Sequence, residues 1–150
     1  LHLEYDTSPN EAVLRWADEV LKEHDTRRAI VVIHFMIGPG NPGGFSTLGQ
    51  AIYDELKDNP NLFLLLGGHV PTFGGEGQRA DVWDGRTVYS LLSDYQGRSR
   101  GGDGWLRIMR FSPALNEISV QTFSPYLNEG RGSFEIDESS EFVLSYEMSR

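Results

Sequence analysis

Two histidines of the sequence follow closely on runs that are apolar at every position. His34 comes directly after residues 29–33, and His69 follows residues 62–66 and two glycines. Such runs are typical of strands covered on both faces, as in parallel sheets. Ligands of open α/β sheets bind at the carboxyl ends of those strands, and imidazole binds zinc, iron and manganese. The sequence therefore predicts a catalytic or divalent-metal site on His34 and His69. The alternative is that both are ordinary strand-end histidines bonded to nearby backbone.

Carboxylates that could reach the same edge are all aspartates: Asp81, Asp84, Asp94 and Asp103. Asp84 and Asp103 stand beside glycines and are expected to form turns. Asp94 ends an apolar segment, so it is the carboxylate we expect as a third metal ligand. Arg98 and Arg100 could contact a phosphate or could lie in a solvated loop.

Two other kinds of site remain open at this stage. The segment 38–44 is rich in glycine and precedes a predicted helix, where an anion can bind, but it lacks the Lys-Ser/Thr of a phosphate-binding P-loop. A flexible edge loop is the alternative. No Gly-x-Ser-x-Gly nucleophile elbow occurs, although a Ser/His/Asp triad does not need close spacing. Ser46, Ser90 and Ser93 are its candidate nucleophiles.

The elements that must position these residues can be read from periodicity. Ser8-Pro9-Asn10-Glu11 predicts the start of a helix, with Ser8 as N-cap, and an apolar stripe continues to Leu21. Thr47 and Gln50 could cap a second helix, which lies between the two apolar runs and gives a right-handed β-α-β unit. The period changes to two after His69, and two hairpins follow, the first around Asp84-Gly85. We expect residues 126–150 to form an extended acidic arm on an apolar surface.

Composition limits the functions that the chain can have. The 150 residues predict a single domain spanning 1–150. The net charge of −9, from 22 acidic and 13 basic residues, excludes binding driven by a nucleic-acid backbone. Cysteine is absent, which excludes disulfides and thiolate sites. No apolar run approaches the ~20 residues of a membrane helix, and no leader is visible. The compartment stays undecided, although a lack of cysteine is compatible with export.

Several of these features together resemble the calcineurin-like metallophosphoesterases. Ile33-His34 at a strand end, the second helix, and the run from Phe63 to Gly67-Gly68-His69-Val70 look like the C-terminal half of that fold. Residues 80–96, with Gly101-Gly102-Asp103-Gly104-Trp105, resemble the secreted bacterial members. The resemblance covers nearly the whole chain. It implies a divalent metal, Zn, Mn or Fe, and a phosphoester substrate.

The resemblance also shows which ligand positions of the family are present. His34 matches a strand-end ligand, and His69 matches the first histidine of Gly-His-x-His, whose second histidine falls on Pro71. The family's N-terminal motifs, Asp-x-His, Gly-Asp-x-x-Asp and Gly-Asn-His-Asp/Glu, do not occur. The expected function is thus a weak or promiscuous phosphoester hydrolase. The alternatives are a non-catalytic half-domain that serves in oligomerisation or complementation, and a metal-free ester hydrolase.

The family fold is an α-β-β-α sandwich with about one sheet from each half. The resemblance therefore implies an α/β chain with one mixed sheet and two helices on one of its faces. The other face would be apolar and uncovered, a situation that monomers rarely tolerate over a large area. We expect two copies to pack sheet to sheet as a homodimer.

Overall fold

A computed structural model of the chain describes residues 1–148. Contacts divide it into two compact units, of which the first comprises residues 1–70 and 77–92. The second comprises residues 71–76 and the chain from Ser93 onward. The predicted single domain spanning residues 1–150 stays a prediction beside these two contact-defined units. None of the helices among the described residues is long and apolar enough to span a bilayer.

The first unit is an α/β structure with a six-stranded mixed sheet, which confirms the predicted fold class. The sheet order is β1-β4-β6-β5-β2-β3, with β1–β4, β4–β6 and β2–β5 parallel and β2–β3 antiparallel. The elements are α1 (Glu11–Glu23), β1 (Ala29–Val32), β2 (Ile37–Gly40), β3 (Gly43–Phe45), α2 (Thr47–Leu56), β4 (Leu62–Gly67), β5 (Glu76–Trp83) and β6 (Arg86–Ser93).

Both helices begin at caps other than the predicted ones. The side chain of Asn10, not Ser8, accepts hydrogen bonds from the backbone N–H groups of Ala12 and Val13, at 3.0 and 3.5 Å. Asparagine is as good an N-cap as serine, so the helix begins at Glu11 and the Ser8 box does not form. At α2 the Oγ of Ser46 accepts from Gly49 N at 2.8 Å.

The core of the first unit lies between the two helices and one face of the sheet. Val31 and Leu65 are register partners on β1 and β4, and both are fully buried in the same cluster as Ala17 of α1 and Ile52 of α2. Each of the larger side chains, Val31, Leu65 and Ile52, contributes about 1.5–3 kcal/mol by leaving water. Both helices therefore cover the same face, as the resemblance implied.

Of two glycine-containing turn segments singled out in the sequence, one differs from the expectation and one confirms it. The segment 38–44 belongs to the hairpin of β2 and β3, joined across Asn41-Pro42, rather than to a flexible loop. Asp84 and Gly85 both have positive φ, +48° and +71°, which confirms the tight turn between β5 and β6.

The second unit contains a four-stranded antiparallel sheet built on the second of the two predicted hairpins, although a sheet of its own was not predicted. Its order is β10-β8-β7, with β9 also paired to β8. The strands are β7 (Leu106–Ser112), β8 (Glu117–Ser124), β9 (Ser133–Glu135) and β10 (Glu141–Ser145). The segment 126–150, expected as an extended arm, supplies two of these strands, because β8 has a free edge that their backbone can pair with. Its last two residues, 149–150, lie outside the described residues.

The predicted homodimer assumes that the sheet face opposite the helices is uncovered in a single chain. Leu64 and Leu91 alternate with the residues that face the helices, yet they are 0% and 2% exposed. Their burial does not require a second copy of the chain. The homodimer stays a prediction.

Candidate functional site: an imidazole pair at the carboxyl edge of the sheet

The structure brings His34 and His69 into direct contact. Strand β1 ends at Val32 and β4 ends at Gly67, and the two histidines lie just beyond these ends. His34 Nε2 and His69 Nδ1 are 2.7 Å apart, and both residues are exposed. This contact needs one nitrogen to donate and the other to accept, so at least one imidazole is neutral in it.

Backbone pairing beyond the strand ends sets this contact. Ile33 N donates to Leu66 O at 3.0 Å, and Gly68 N donates to His34 O at 2.9 Å. The chain after His34 then passes so close to β4 that a Cβ at Gly67 would lie 2.9 Å from the Met36 side chain and backbone. Glycine at position 67 is therefore required for the two histidine-bearing segments to approach each other.

His69 has a backbone conformation that is unusual for its residue type. Its φ is +76°, in the left-handed region that costs a non-glycine residue roughly 1–2 kcal/mol. Strained residues of this kind cluster at functional sites, where surrounding structure holds them in place. Here the strain accompanies the placement of the imidazole against His34.

Two aromatic rings flank the pair. The ring of Tyr5 stacks on His69 with centroids 5.6 Å apart and meets His34 edge-on at 5.0 Å. The ring of Phe35 lies 4.8 Å from that of His69. The imidazole pair thus has polar nitrogens at its centre and an aromatic rim.

The donor set fits a divalent metal with a small adjustment. A tetrahedral zinc ion with Zn–N bonds of about 2.0–2.1 Å holds two imidazole nitrogens about 3.3 Å apart. The observed 2.7 Å is a hydrogen-bonding distance, so the two exposed rings would have to separate by about 0.6 Å to bind one ion. Two imidazoles from this chain would then hold the ion, fewer than the three protein ligands of a typical catalytic zinc.

Comparison with known proteins gives one curated relative of this chain. Uncharacterized protein YvnB of Bacillus subtilis (strain 168) is 34% identical over 144 residues. The match covers 90% of this chain and 11% of the relative, so the chain spans a small part of that protein's length. No family model matches the chain, and no solved structure matches it. The similarity identifies a relative of this segment and assigns no activity to it.

The third predicted ligand, Asp94, belongs to the second unit. Its carboxylate accepts hydrogen bonds from the backbone N–H and the side-chain amide of Gln96, at 3.2 and 3.3 Å. Within residues 1–148, Asp94 takes part in no group of three potential ligand atoms close enough to share an ion. The contacts give it the role of a turn residue, and its role as a ligand stays a prediction.

The other polar candidates are occupied by structural contacts. Arg98 donates to Gly74 O at 2.9 Å and pairs with Glu135, and Arg100 pairs with Asp103 at 2.6 Å. Ser46 caps α2 while its hydroxyl donates to Phe35 O at 2.9 Å, and Ser90 is fully buried. These two serines are therefore not available as nucleophiles.

A second cluster of titratable groups surrounds Glu76 in the second unit. Glu76 is 4% exposed, and its carboxylate accepts hydrogen bonds of 2.7–2.8 Å from Tyr95, Thr122, Arg107, Ser139 and Ser140. Burial by itself would raise the pKa of Glu76, but the hydrogen bond from Ser140 and the charge of Arg107, among other contacts, outweigh it and hold the pKa below its usual value. The cluster also includes the carboxylates of Glu135 and Asp137. Arg98 and Arg107 offset two of its three carboxylate charges, so its chemistry is that of an ion-pair network around the buried Glu76.

Sequence reasoning missed two groups that matter here. The first is Tyr5, which lies 29 residues before His34, so that sequence spacing does not connect the two residues. The other aromatic residue of the rim, Phe35, is adjacent to His34. Glu76 is surrounded by glycines in Gly74-Gly75-Glu76-Gly77. An acidic residue at the start of a strand and between glycines was the one sign of a buried charge. Its hydrogen-bond partners lie up to 64 residues away, so the sequence did not identify them.

Proposed function

We propose that this chain carries a weak, metal-dependent phosphoester hydrolase site on His34 and His69. The observation that carries the proposal is the 2.7 Å contact between His34 Nε2 and His69 Nδ1 at the carboxyl edge of the sheet. Both imidazoles are exposed, so a metal ion and a small phosphoester can reach them.

The chain's own residues would hold the site in place. The two imidazoles would bind a divalent ion, Zn, Mn or Fe, and the hydrogen bond from Gly68 N to His34 O keeps their segments together. When bound, such an ion supplies Lewis acidity and a water of lowered pKa. The rings of Tyr5 and Phe35 pack against the His69 imidazole and help to hold it in place.

The small ligand set explains why we propose weak activity. Among the described residues, no third histidine or carboxylate forms a ligand group with the pair. The remaining coordination positions would be filled by water, or by a segment that this sequence does not include. The family resemblance implies that an N-terminal half supplies such a segment.

A non-catalytic half-domain is the second candidate, and Pro71 favours it. Proline has no side-chain donor atom, and it stands where the resembling family has a metal-binding histidine. In this case the chain would keep the fold and bind a complementary half without performing chemistry. A Ser/His ester hydrolase loses two of its three candidate nucleophiles, because Ser46 caps α2 and Ser90 is fully buried, and only Ser93 stays a candidate.

The deciding experiment is hydrolysis of an aryl phosphodiester by the purified chain. Turnover would be measured with Mn²⁺ or Zn²⁺, with a chelator, in His69→Ala, and in His24→Ala as a matched histidine control outside the pair. Metal-dependent turnover that is lost in His69→Ala and kept in His24→Ala supports the hydrolase. Turnover no higher than that of His69→Ala with any metal overturns it and favours the half-domain.

The proposal includes a second copy of this chain as a partner, in the predicted homodimer. The resemblance implies that two copies pack through the sheet face opposite the helices, but Leu64 and Leu91 on that face are already buried within one chain, so the resemblance alone supports the homodimer. Sedimentation equilibrium measures the mass directly, and a monomer at micromolar concentration would contradict the dimer.

A further inference from the structure

Tyr5 is brought to the imidazole pair by a short segment that runs beside β1. His2 forms a parallel bridge with Val32, Leu3 N donates to Val32 O at 2.9 Å, and Val32 N donates to Leu1 O at 2.9 Å. Because this segment runs parallel to β1, the residues that follow it reach the same carboxyl edge as His34. The placement of Tyr5 is thus fixed by backbone pairing.

The ring of Tyr5 is held by the imidazoles and is still open to a ligand. It contacts His69 by stacking and His34 by its edge, yet the residue remains 46% exposed. A phenol ring has few rotatable bonds, and contacts on two sides restrict them further. A ligand that stacks on its open surface therefore meets a surface that is already ordered, which lowers the entropic cost of binding.

A flat ring is the ligand group that this surface would recognise best. Aromatic pairs gain binding free energy beyond that of the area they bury, through offset or edge-to-face contact. Aliphatic groups lack this contribution. Phe35, on the same imidazole, adds a second aromatic group to the rim.

We infer that Tyr5 is a substrate-contacting, specificity-determining residue of this site. The inference rests on the proposed function and names its substrate class: phosphoesters with a flat aromatic ring on the alcohol side. The phosphoryl group would lie at His34 and His69, and the aromatic ring would stack on Tyr5.

The test uses phosphonates, which bind without being hydrolysed. The affinities of phenylphosphonate and methylphosphonate for the Zn²⁺-loaded chain would be measured by calorimetry. We expect phenylphosphonate to bind about tenfold more tightly, because its ring can stack on Tyr5 and the methyl group cannot. Tyr5→Leu is expected to lose this preference and Tyr5→Phe to keep it. Trp16→Leu is the matched control, since Trp16 is an aromatic residue of similar exposure, 49%, on α1.

Zn²⁺ affinity, measured separately for each variant, distinguishes the possible failures. Equal affinity for both phosphonates in a chain that binds Zn²⁺, or a preference that survives Tyr5→Leu, overturns this inference and leaves the proposed function standing. Loss of Zn²⁺ binding in Tyr5→Leu would mean that Tyr5 only positions the imidazoles, which also overturns it. A wild-type chain that binds no Zn²⁺ overturns the proposed function, and the inference with it.

Discussion

His34 Nε2 and His69 Nδ1 lie 2.7 Å apart although 35 residues separate them in the sequence. The register of β1 with β4 produces this proximity: Val32 is the partner of Leu66, and the pairing continues past both strand ends to His34 O and Gly68 N. The contact therefore results from strand pairing at the sheet edge, and a substitution of either histidine removes a hydrogen-bond partner of the other.

Removal of either imidazole should weaken metal binding. We expect His34→Ala and His69→Ala each to lower Zn²⁺ affinity at least tenfold, because each removes one of two nitrogens that would bind the same ion. Calorimetric titration at neutral pH measures the affinity. His24→Ala should bind Zn²⁺ like the wild type, and equal affinity in all three variants would contradict a shared site.

The backbone strain at His69 predicts that two truncations at this position differ in stability. Alanine keeps a Cβ in the left-handed region, whereas glycine relieves the strain. We expect His69→Gly to be more stable than His69→Ala by about 1 kcal/mol. Urea unfolding of the two variants gives this difference, and a more stable alanine variant would show that the residue is not strained.

A substitution at Gly49 tests the close packing of α2 against the segment after His34. A Cβ at position 49 would overlap the carbonyl oxygen of Met36, which is backbone and cannot move aside cheaply. We expect Gly49→Ala to lower the free energy of unfolding by about 1–3 kcal/mol. Gly44→Ala is the control, since a Cβ there meets nothing within 4 Å. Equal stability of the two variants in urea would disprove this packing.

The buried carboxylate of Glu76 predicts a pH-dependent stability. Its pKa in the folded chain lies below the usual value of 4.5, so the folded state binds this proton less readily than the unfolded state. The contribution to the free energy of unfolding is therefore fully present above pH 4.5 and is lost as the pH falls through the lowered pKa.

Glu76→Gln should remove this acid-sensitive contribution and should also destabilise the chain at neutral pH. It leaves the buried Arg107 without its 2.7 Å ion pair to Glu76, a kind of loss that costs roughly 3–5 kcal/mol. Urea unfolding at several pH values between 3 and 7 compares the variant with wild type. Glu129→Gln, at an exposed acidic residue, should match the wild type. A Glu76→Gln profile parallel to that of the wild type would refute the role of Glu76.

The local elements were largely predictable from the residues. Strands β1 and β4 appear at the continuous apolar runs, since such short runs are typical of strands covered on both faces. The positions of His34 and His69 at one edge followed from this, because parallel strands end on the same side. The helix starts were less well predicted, because Ser8 and Asn10 are equally good caps and their spacing does not decide between them.

Tertiary structure alone decided which distant groups meet. The sequence determined the α/β class, the β-α-β unit and the pair of strand-end histidines, all through local periodicity. Tyr5 at the imidazoles, the partners of Glu76 and the separate sheet formed by β7 to β10 depend on which backbone edges pair. Such pairings join residues tens of positions apart, and their free energy comes from packing and hydrogen bonds that no single segment contains.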